Sequence, residues 1–382
     1  MRKVFAAYSR KNLIMNQPKL RWGILSTAEI AQKNWKAIRN SGNGIVAAVS
    51  SRDAQRSREF IARCQQEVPF EHAPRALGSY DELIAAPDVE AIYLPAPTAL
   101  RKQWVLRAAE AGKHVVCEKP CAPTLADLRE MLDACRRNRV QFMDGVMFLH
   151  SRRLERIREV LDDAHTLGPM RRLSSAFCFS GPPEFFANNI RVHSEFEPLG
   201  CLGDLGWYCI RFFLWAMKFQ LPHRVSGRLL TQSGRADSPV PVPVEFSSEL
   251  LFDGGVSASF YCSFITELQQ WVHISGAAGS IYVPDFVLPY SGAELTFEVA
   301  KPSYHVAGCD FRMEPGARGV TVPEHSHGHP SAQESNLFRN FAEQVHSGQF
   351  NESWPDIAWK TQQVTEACLN SAQQDGKEVE IR

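Results

Sequence analysis

The chain has 382 residues, and its 42 lysines and arginines are balanced by 42 aspartates and glutamates, so its formal net charge is zero. This length favours two domains, and the balanced charge argues against nucleic acid or an anionic membrane as the main partner. The longest strongly apolar stretch, 212–217, is far shorter than the roughly 20 residues of a membrane-spanning helix. Ten cysteines are scattered without a Cys-x-x-Cys pair, which predicts reduced thiols and a cytoplasmic protein.

Residues 1–18 are basic and contain no aspartate or glutamate. Such a composition occurs in mitochondrial presequences, but this segment has no continuous apolar core like that of a secretory signal. We expect these residues to form a disordered N-terminal arm ahead of the folded part.

The first half of the chain alternates short apolar runs with amphipathic segments. Strands are predicted at 20–25, 45–49, 91–94 and 114–117, and helices at 28–39, 53–64 and 100–111. Apolar strands that alternate with helices form parallel sheets covered on both faces. Residues 19–145 are therefore predicted to form a doubly wound Rossmann domain of the α/β class.

From residue 146 onward, apolar and polar residues alternate instead. Strands are predicted at 171–180, 245–252 and 256–264, the last two joined by the turn Asp253-Gly254-Gly255. Apolar side chains at every second position from 256 to 264 indicate one covered face and one more polar face. Helices at 335–346 and 355–372 end this second domain, residues 146–382.

The segment Ser26-Thr27-Ala28-Glu29-Ile30-Ala31 links the first strand to the first helix, where a dinucleotide pyrophosphate docks in such folds. Compared with G-x-G-x-x-G, the glycine positions hold Ser26, Ala28 and Ala31. All three are small, as close backbone approach to phosphate requires, but Ser26 must form the turn without glycine's freedom. Taken alone, the segment also fits an ordinary strand-to-helix connection.

The end of the second strand predicts the type of dinucleotide. An acidic residue there would accept hydrogen bonds from the ribose of NAD. This chain instead has Ser51 and Arg52, with Arg56 one helical turn later. A hydroxyl and two guanidinium groups match a 2′-phosphate, so NADP is favoured over NAD. The alternative is a solvated helix start.

Glu118-Lys119-Pro120 directly follows the strand at 114–117. Ligands bind beyond the carboxyl ends of parallel strands, so Lys119 is expected to project into the crevice, and its bond to Pro120 is a candidate for the cis form. Together with residues 23–31, Ser51-Arg52 and residues 109–115, this motif resembles the Gfo/Idh/MocA oxidoreductase family, named for glucose–fructose oxidoreductase and inositol dehydrogenase. The similarity runs from about residue 19 to the C-terminal helices.

The resemblance implies a Rossmann domain followed by an α/β domain with an open, mostly antiparallel sheet. The exposed face of that sheet often builds dimers in the family, so a homodimer or higher homo-oligomer is expected. Residues 206–211, Gly-Trp-Tyr-x-x-Arg, are more similar to an uncharacterised plant and bacterial branch than to the named enzymes.

The second family motif is present at 200–208, a glycine-rich segment with Asp204 and, four residues later, Tyr208. By resemblance to the glucose–fructose and dihydrodiol-dehydrogenase-like branches, Tyr208 is the proton donor or acceptor. The Lys119 ammonium is expected to favour the phenolate and to hold the substrate oxygen. Asp204 would anchor that lysine or orient substrate hydroxyls. Arg191 would meet a substrate oxygen or form a surface salt bridge.

The resemblance also implies a set of cofactor contacts. At Arg101 the family usually has histidine, and an extra cation there would change the preferred substrate charge or mark an inactive member. The expected cofactor-binding residues are Ser26, Thr27, Ala28, Glu29, Ile30, Ser51, Arg52, Arg56, Pro95, Ala96, Thr98, Arg101, Glu118 and Lys119.

Together, these expectations predict an NADP(H)-dependent oxidoreductase. It would transfer a hydride between the nicotinamide and a secondary alcohol or carbonyl of a cyclic polyol, sugar or dihydrodiol. The substrate class comes from the resemblance alone. The alternative is a regulator that binds the dinucleotide and senses a ligand without turnover. The run His325-Ser326-His327-Gly328-His329 is interpreted as a polar loop, and no metal is expected.

Overall fold

The computed structural model describes residues 19–381, so the expected arm at residues 1–18 lies outside the described part. Six strands form a parallel sheet in the order β3-β2-β1-β4-β5-β6. Their bounds are β1 Leu20–Leu25, β2 Gly44–Ser50, β3 Arg75–Leu77, β4 Ala91–Leu94, β5 His114–Cys117 and β6 Phe142–Asp144. This order reverses direction between β1 and β4, which confirms the predicted Rossmann sheet and places its ligand crevice at that switch point.

Helices connect these strands, and local chemistry fixes where several of them begin. The helices are α1 Glu29–Ser41, α2 Ala54–Glu67, α3 Tyr80–Ala85, α4 Thr98–Glu110 and α5 Leu125–Arg137. The side chains of Asp53, Ser79 and Thr124 accept backbone N–H groups in the first turns of α2, α3 and α5. In contrast, α1 begins after Ala28, whose side chain has no oxygen that could cap the helix.

The second domain is built on a nine-stranded sheet in the order β16-β13-β12-β11-β7-β10-β9-β8-β17. Its neighbouring strands pair antiparallel except for β7 with β10, which confirms the expected mostly antiparallel sheet. The strands are β7 Met170–Ser180, β8 Arg224–Ser233, β9 Val242–Leu251, β10 Ser257–Ser263, β11 Ile265–Gly276, β12 Ser280–Val283, β13 Leu295–Ala300, β16 Ala317–Val322 and β17 Val379–Glu380. A separate hairpin is formed by β14 Ser303–Ala307 and β15 Asp310–Glu314.

Within the described residues, five α-helices follow β6 along the chain. Their bounds are α6 Arg152–Asp162, α7 Pro183–Asn188, α8 Trp207–Ala216, α9 Gln333–His346 and α10 Ser353–Ala372. Helices α9 and α10 confirm the two helices predicted near the end of the chain. Among residues 19–381, no helix is both long and apolar enough to cross a membrane.

The predicted hairpin is present as β9 and β10, joined through 253–255 with Gly254 and Gly255 at φ of 72° and 76°. These positive φ angles favour glycine. Ala258, Phe260 and Cys262 are buried on the covered face, as their alternation predicts.

Helix α9 packs on the N-terminal sheet although it lies near the other end of the chain. The ring centroids of Phe338 and Phe341 lie 5.1 and 5.3 Å from that of Trp22 in β1. Leu337 and Ala342 belong to the same buried cluster. The core of the Rossmann sheet therefore includes side chains from both ends of the sequence.

A fully buried ion pair joins the parallel sheet to the second domain. Arg211 in α8 donates to both carboxylate oxygens of Asp144 at the end of β6, at 3.1 and 2.6 Å. Its Nε donates to Thr361 Oγ1 of α10 at 2.6 Å. One guanidinium thus links three elements next to the helix that carries Tyr208.

Candidate active site

A cleft of about 960 Å³ lies beyond the carboxyl ends of β4 and β5, and residues of both sheets and of α9 line it. This is the edge at which open parallel sheets bind ligands. The predicted site residues that line the cleft are Ala28, Glu29, Ile30, Pro95, Ala96, Arg101, Glu118, Lys119, Arg191, Asp204 and Tyr208.

The turn before α1 has the geometry expected around a dinucleotide phosphate. Ser26, at the first glycine position, has a φ of 120°, a conformation that non-glycine residues rarely adopt. Its hydroxyl accepts the N–H of Ala28 at 3.1 Å. Since the Ala28 side chain has no capping oxygen, the first N–H groups of α1 can face an anion. The residues present therefore fit a bound pyrophosphate.

The basic residues expected at the ribose end lie beside this turn. Arg56 and Thr27 line a neighbouring pocket of about 540 Å³, together with Glu59, Ala62 and Arg63, which the sequence interpretation did not include. Arg52 and Arg56 are exposed, and neither forms an ion pair with any other residue of the described range. The Ser51 hydroxyl, by contrast, donates to the carbonyl of Asp53 at 2.7 Å, so the turn before α2 already uses it.

Lys119, Asp204 and Arg191 form one charged cluster in the cleft. The Lys119 ammonium donates to Asp204 Oδ1 at 2.7 Å and to the Asp204 carbonyl at 2.6 Å, and the Arg191 Nε lies 2.8 Å from Asp204 Oδ2. Burial alone would raise the pKa of Asp204, but the charges of Arg191 and Lys119 outweigh it and lower that pKa to about 2. Asp204 is therefore ionised at neutral pH and holds both cations.

Asp204 lies in a π-helical turn, Leu202–Gly206, that runs directly into α8. Such turns are rare and occur often at functional sites. The turn brings Tyr208 beside Lys119, whose ammonium nitrogen lies 4.5 Å from the centroid of the phenol ring. The Tyr208 hydroxyl donates to the sulfur of Met147 at 3.7 Å. The structure thus brings together the two residues that the sequence singled out from separate domains.

The expectation that the surroundings of Tyr208 favour its phenolate was wrong. The ammonium lies over the ring face rather than at the hydroxyl, and its hydrogen bonds go to Asp204. Burial, together with the negative charges of Glu118 and Asp204, raises the pKa of Tyr208 well above its ordinary value. In this arrangement the phenol is protonated at neutral pH.

Glu118 belongs to a small hydrogen-bonded group that sequence reasoning missed. Its Oε1 accepts the Tyr93 hydroxyl at 2.6 Å and the Asn34 amide at 3.3 Å, and Asn34 also contacts the Tyr93 hydroxyl. Tyr93 is in β4 and Asn34 is in α1, so only the packing of these elements brings the three together. The group fixes the residue that precedes Lys119.

Arg101 has a different role from the one expected. It is 5% exposed, and its guanidinium donates to the carbonyl of Ala96 at 2.8 Å, to that of Glu118 at 2.8 Å, and to that of Pro120. These bonds hold the loop that follows β5, where the Lys119-Pro120 bond is cis as the sequence indicated. Because the guanidinium is committed to backbone carbonyls, Arg101 positions the loop rather than presenting a free cation to a substrate.

Thr98 is engaged across the domain boundary. Its backbone N–H donates to Glu197 at 3.0 Å, and its hydroxyl donates to the same carboxylate at 2.5 Å.

Among residues 19–381, no group of three or more metal-ligating side chains is found. His325 and His329 stack with their rings 3.5 Å apart, and both contact the hydroxyl of Ser331.

The phosphate-binding turn and the charged cleft define a dinucleotide-binding oxidoreductase. Residues 20–146 match the family described as "Oxidoreductase family, NAD-binding Rossmann fold", and residues 154–282 match the "GFO/IDH/MocA C-terminal domain". The chain is 32% identical to the trans-1,2-dihydrobenzene-1,2-diol dehydrogenase of Bos taurus over 271 residues, which span 70% of this chain and 74% of that protein. The chain therefore belongs to the Gfo/Idh/MocA family.

Other relatives act on sugars by name. The chain is 28% identical to the dTDP-3,4-didehydro-2,6-dideoxy-alpha-D-glucose 3-reductase of Saccharopolyspora spinosa, over 70% of this chain and 75% of that one. A levoglucosan dehydrogenase complexed with NADH and levoglucosan has the same fold, with a TM-score of 0.78 at 17% identity over 95% of this chain and 99% of that one. A 3-ketoreductase from Actinomadura kijaniata, complexed with NADP and TDP-benzene, also has this fold. Its TM-score is 0.77 at 22% identity, over 92% of this chain and 98% of that one.

The raised pKa of Tyr208 leads to a direct test. The phenol should lose its proton only above the ordinary tyrosine value of 10.0, so it should remain protonated in the ligand-free protein up to that pH. Near-ultraviolet phenolate absorbance should therefore titrate identically in the native protein and in Tyr208→Phe up to pH 10. A phenolate that appears below this pH in the native protein and is missing in the variant would contradict the prediction.

Proposed function

We propose that the chain interconverts a secondary alcohol and a ketone on a neutral cyclic polyol, sugar or dihydrodiol, with NADP(H) as its cofactor. The observation that carries the proposal is the Lys119 ammonium 4.5 Å from the Tyr208 ring, anchored by Asp204 at the cofactor edge of the sheet. When bound there, the nicotinamide would supply or take up the hydride. Membership in an oxidoreductase family favours this enzymatic function over the alternative of a ligand-sensing regulator.

The protein side of the reaction follows from the three anchored groups. Lys119 donates a hydrogen bond to the substrate oxygen, which stabilises negative charge that develops there. Tyr208, with its raised pKa, gives its proton to that oxygen when a ketone is reduced. Asp204 keeps the ammonium charged and in place.

The cleft wall supports a ring-shaped substrate. The apolar side chains of Phe177 and Phe179 of β7, together with those of Leu268 and Ile190, also line the cleft. Apolar walls with a few fixed polar groups are typical of sites for small organic ligands. The relatives named for dihydrodiols and sugars support the same substrate class.

Lys119→Met and Tyr208→Phe should each lower kcat by about 100-fold or more, because each removes a group that acts on the reacting oxygen. Dinucleotide affinity should stay nearly unchanged. The assay follows reduced-nicotinamide absorbance with NADP(H) or NAD(H), using trans-1,2-dihydrobenzene-1,2-diol, levoglucosan and a panel of aldoses.

Lys102→Met and Tyr290→Phe serve as controls, since Lys102 pairs with acidic residues of α5 and the Tyr290 side chain is 59% exposed. Both should retain native turnover. Retained turnover in either Lys119→Met or Tyr208→Phe would refute the role proposed for that residue.

NADP rather than NAD is proposed because Arg52 and Arg56 are exposed beside the phosphate turn without ion-pair partners among the described residues. A 2′-phosphate would supply the missing negative charge.

Arg52→Ala and Arg56→Ala should each weaken NADP(H) binding about tenfold, the value of one charge-assisted hydrogen bond, and leave NAD(H) binding unchanged. Arg58→Ala is the matched control, because Arg58 lies on the same helix and donates to Gln55. Fluorescence titration with NADP(H) and with NAD(H) measures both affinities of the native protein and of each variant. Tighter binding of NAD(H) than of NADP(H) by the native protein would contradict the proposal.

We also propose that two chains associate through the open face of the nine-stranded sheet. Val272 and Ile274 of β11 point to the core, so Trp271 and His273 lie on the other face, beside half-exposed serines such as Ser174 and Ser259. Small side chains allow a second sheet to approach closely. The β14–β15 hairpin adds an exposed apolar face, formed by Tyr304, Val306, Phe311 and Met313.

Sedimentation velocity should therefore show a particle of twice the 42.9 kDa chain mass or larger. Trp271→Glu should shift it to the mass of one chain, because a charge would be buried in the interface. Val240→Glu, at an exposed position before β9, is the control and should not shift it. A native protein that sediments as a single chain would overturn this proposal.

A cytoplasmic location is proposed on the basis of the cysteines. All ten are free thiols, and nine are buried. Burial raises the pKa of several of them, for example Cys64 to about 11, which makes them poorly reactive. Free thiols in this number are typical of proteins in reducing compartments.

A further inference from the structure

Helix α9 brings a carboxylate into the cleft that no part of the proposed chemistry uses. Glu334 is in the first turn of this helix, is 4% exposed, and lines the cleft that contains Lys119 and Tyr208. Its Oε1 accepts the N–H of Gly328 at 2.9 Å. Its Oε2 is buried and has no hydrogen-bond partner within residues 19–381.

Glu334 differs from two other buried acids, Asp144 and Asp285, in having no cation paired with it among the described residues. Asp144 and Asp285 each pair with a buried arginine. Glu334 forms no ion pair with any described residue, although Lys33 lines the same cleft. A buried carboxylate oxygen without a donor costs free energy, and a ligand that brings a donor to it recovers that cost.

Packing fixes the position of Glu334 relative to the loop after β5, which carries Lys119. Phe338, one helical turn further along α9, packs with its ring centroid 5.6 Å from that of Tyr93. The Tyr93 hydroxyl donates to Glu118, the neighbour of Lys119. On the other side, Gln333 donates to the carbonyl of Val287 at 2.7 Å, next to the cleft wall. Glu334 therefore lies between the sheet edge and the wall of the second domain.

We propose that Glu334 is a substrate-recognition residue that accepts a hydrogen bond from a second hydroxyl of the substrate, distinct from the reacting oxygen. The inference rests on the proposed function and narrows its substrate class to neutral rings with at least two hydroxyl groups. A phosphate or carboxylate at that position would meet a like charge and be disfavoured. A hydroxyl of the bound dinucleotide is the competing donor, and the experiment separates the two.

The test measures binding and turnover on the protein saturated with NADP(H). Calorimetry gives the Kd for trans-cyclohexane-1,2-diol and for cyclohexanol, which lacks the second hydroxyl. The native protein should bind the diol about tenfold more tightly or better, and Glu334→Gln should remove most of that difference. Glu334→Asp, which withdraws the carboxylate by one methylene, should do the same. NADP(H) affinity should be unchanged in both variants.

Glu324→Gln is the matched control. Glu324 is also a buried glutamate with one unpartnered oxygen, and its other oxygen accepts bonds from Ser151 and from the backbone of Arg153. Unlike Glu334, it is not among the residues that line the cleft. This variant should keep the preference for the diol. Thermal unfolding of each variant shows whether it is folded, and the Asp variant provides a second measurement if Gln fails to fold.

The inference is overturned if the native protein binds both probes equally or binds neither, or if Glu334→Gln keeps the preference. It is also overturned if NADP(H) affinity falls instead, since Glu334 would then contact the cofactor. A failure of the proposed function has a different signature. In that case the diol binds through Glu334, but no polyol of the panel changes the reduced-nicotinamide absorbance.

Discussion

The ion pair between Lys119 and Asp204 is the contact on which the site depends. Its two side chains come from different domains and are 9% and 15% exposed, with 2.7 Å between nitrogen and oxygen. Removing one partner of such a pair leaves an uncompensated charge, which typically costs about 3–5 kcal/mol. Arg191 is a second cation on Asp204 and stabilises the negative charge of that carboxylate as well. The pair therefore fixes how the β5 loop faces the helix that carries Tyr208.

Around this pair, two buried arginines hold the segments that carry the site. Arg101 binds three backbone carbonyls around the Lys119 loop, and Arg211 joins Asp144 to α10 beneath Tyr208. A site of this kind gains precision when its functional side chains are held by neighbours that do not react. The reacting groups can then act without first reorganising their surroundings.

The polar groups of the cleft divide into two kinds. Asp204, Lys119 and Arg191 satisfy one another, so they are preorganised in the ligand-free protein. Glu334 is incompletely satisfied and is the group that gains most from a ligand donor. Burial and the negative charges of Glu118, Asp204 and Asp144 keep the phenol of Tyr208 protonated. The cleft therefore contains one preorganised charged cluster and one buried acceptor without a donor among the described residues.

The sequence by itself predicted the parallel N-terminal sheet and the hairpin at 253–255, and its motifs singled out Lys119, Asp204 and Tyr208 as candidate site residues. These features depend on local periodicity and on motifs whose spacing is short, so neighbouring residues are enough to reveal them. The tertiary structure alone decided that Arg101 binds carbonyls, that Tyr93 meets Glu118, and that α9 closes the N-terminal core. Contacts between residues far apart in sequence fix these features. The direction of the Tyr208 pKa shift is fixed in the same way, because it depends on burial and on charges that only folding brings near.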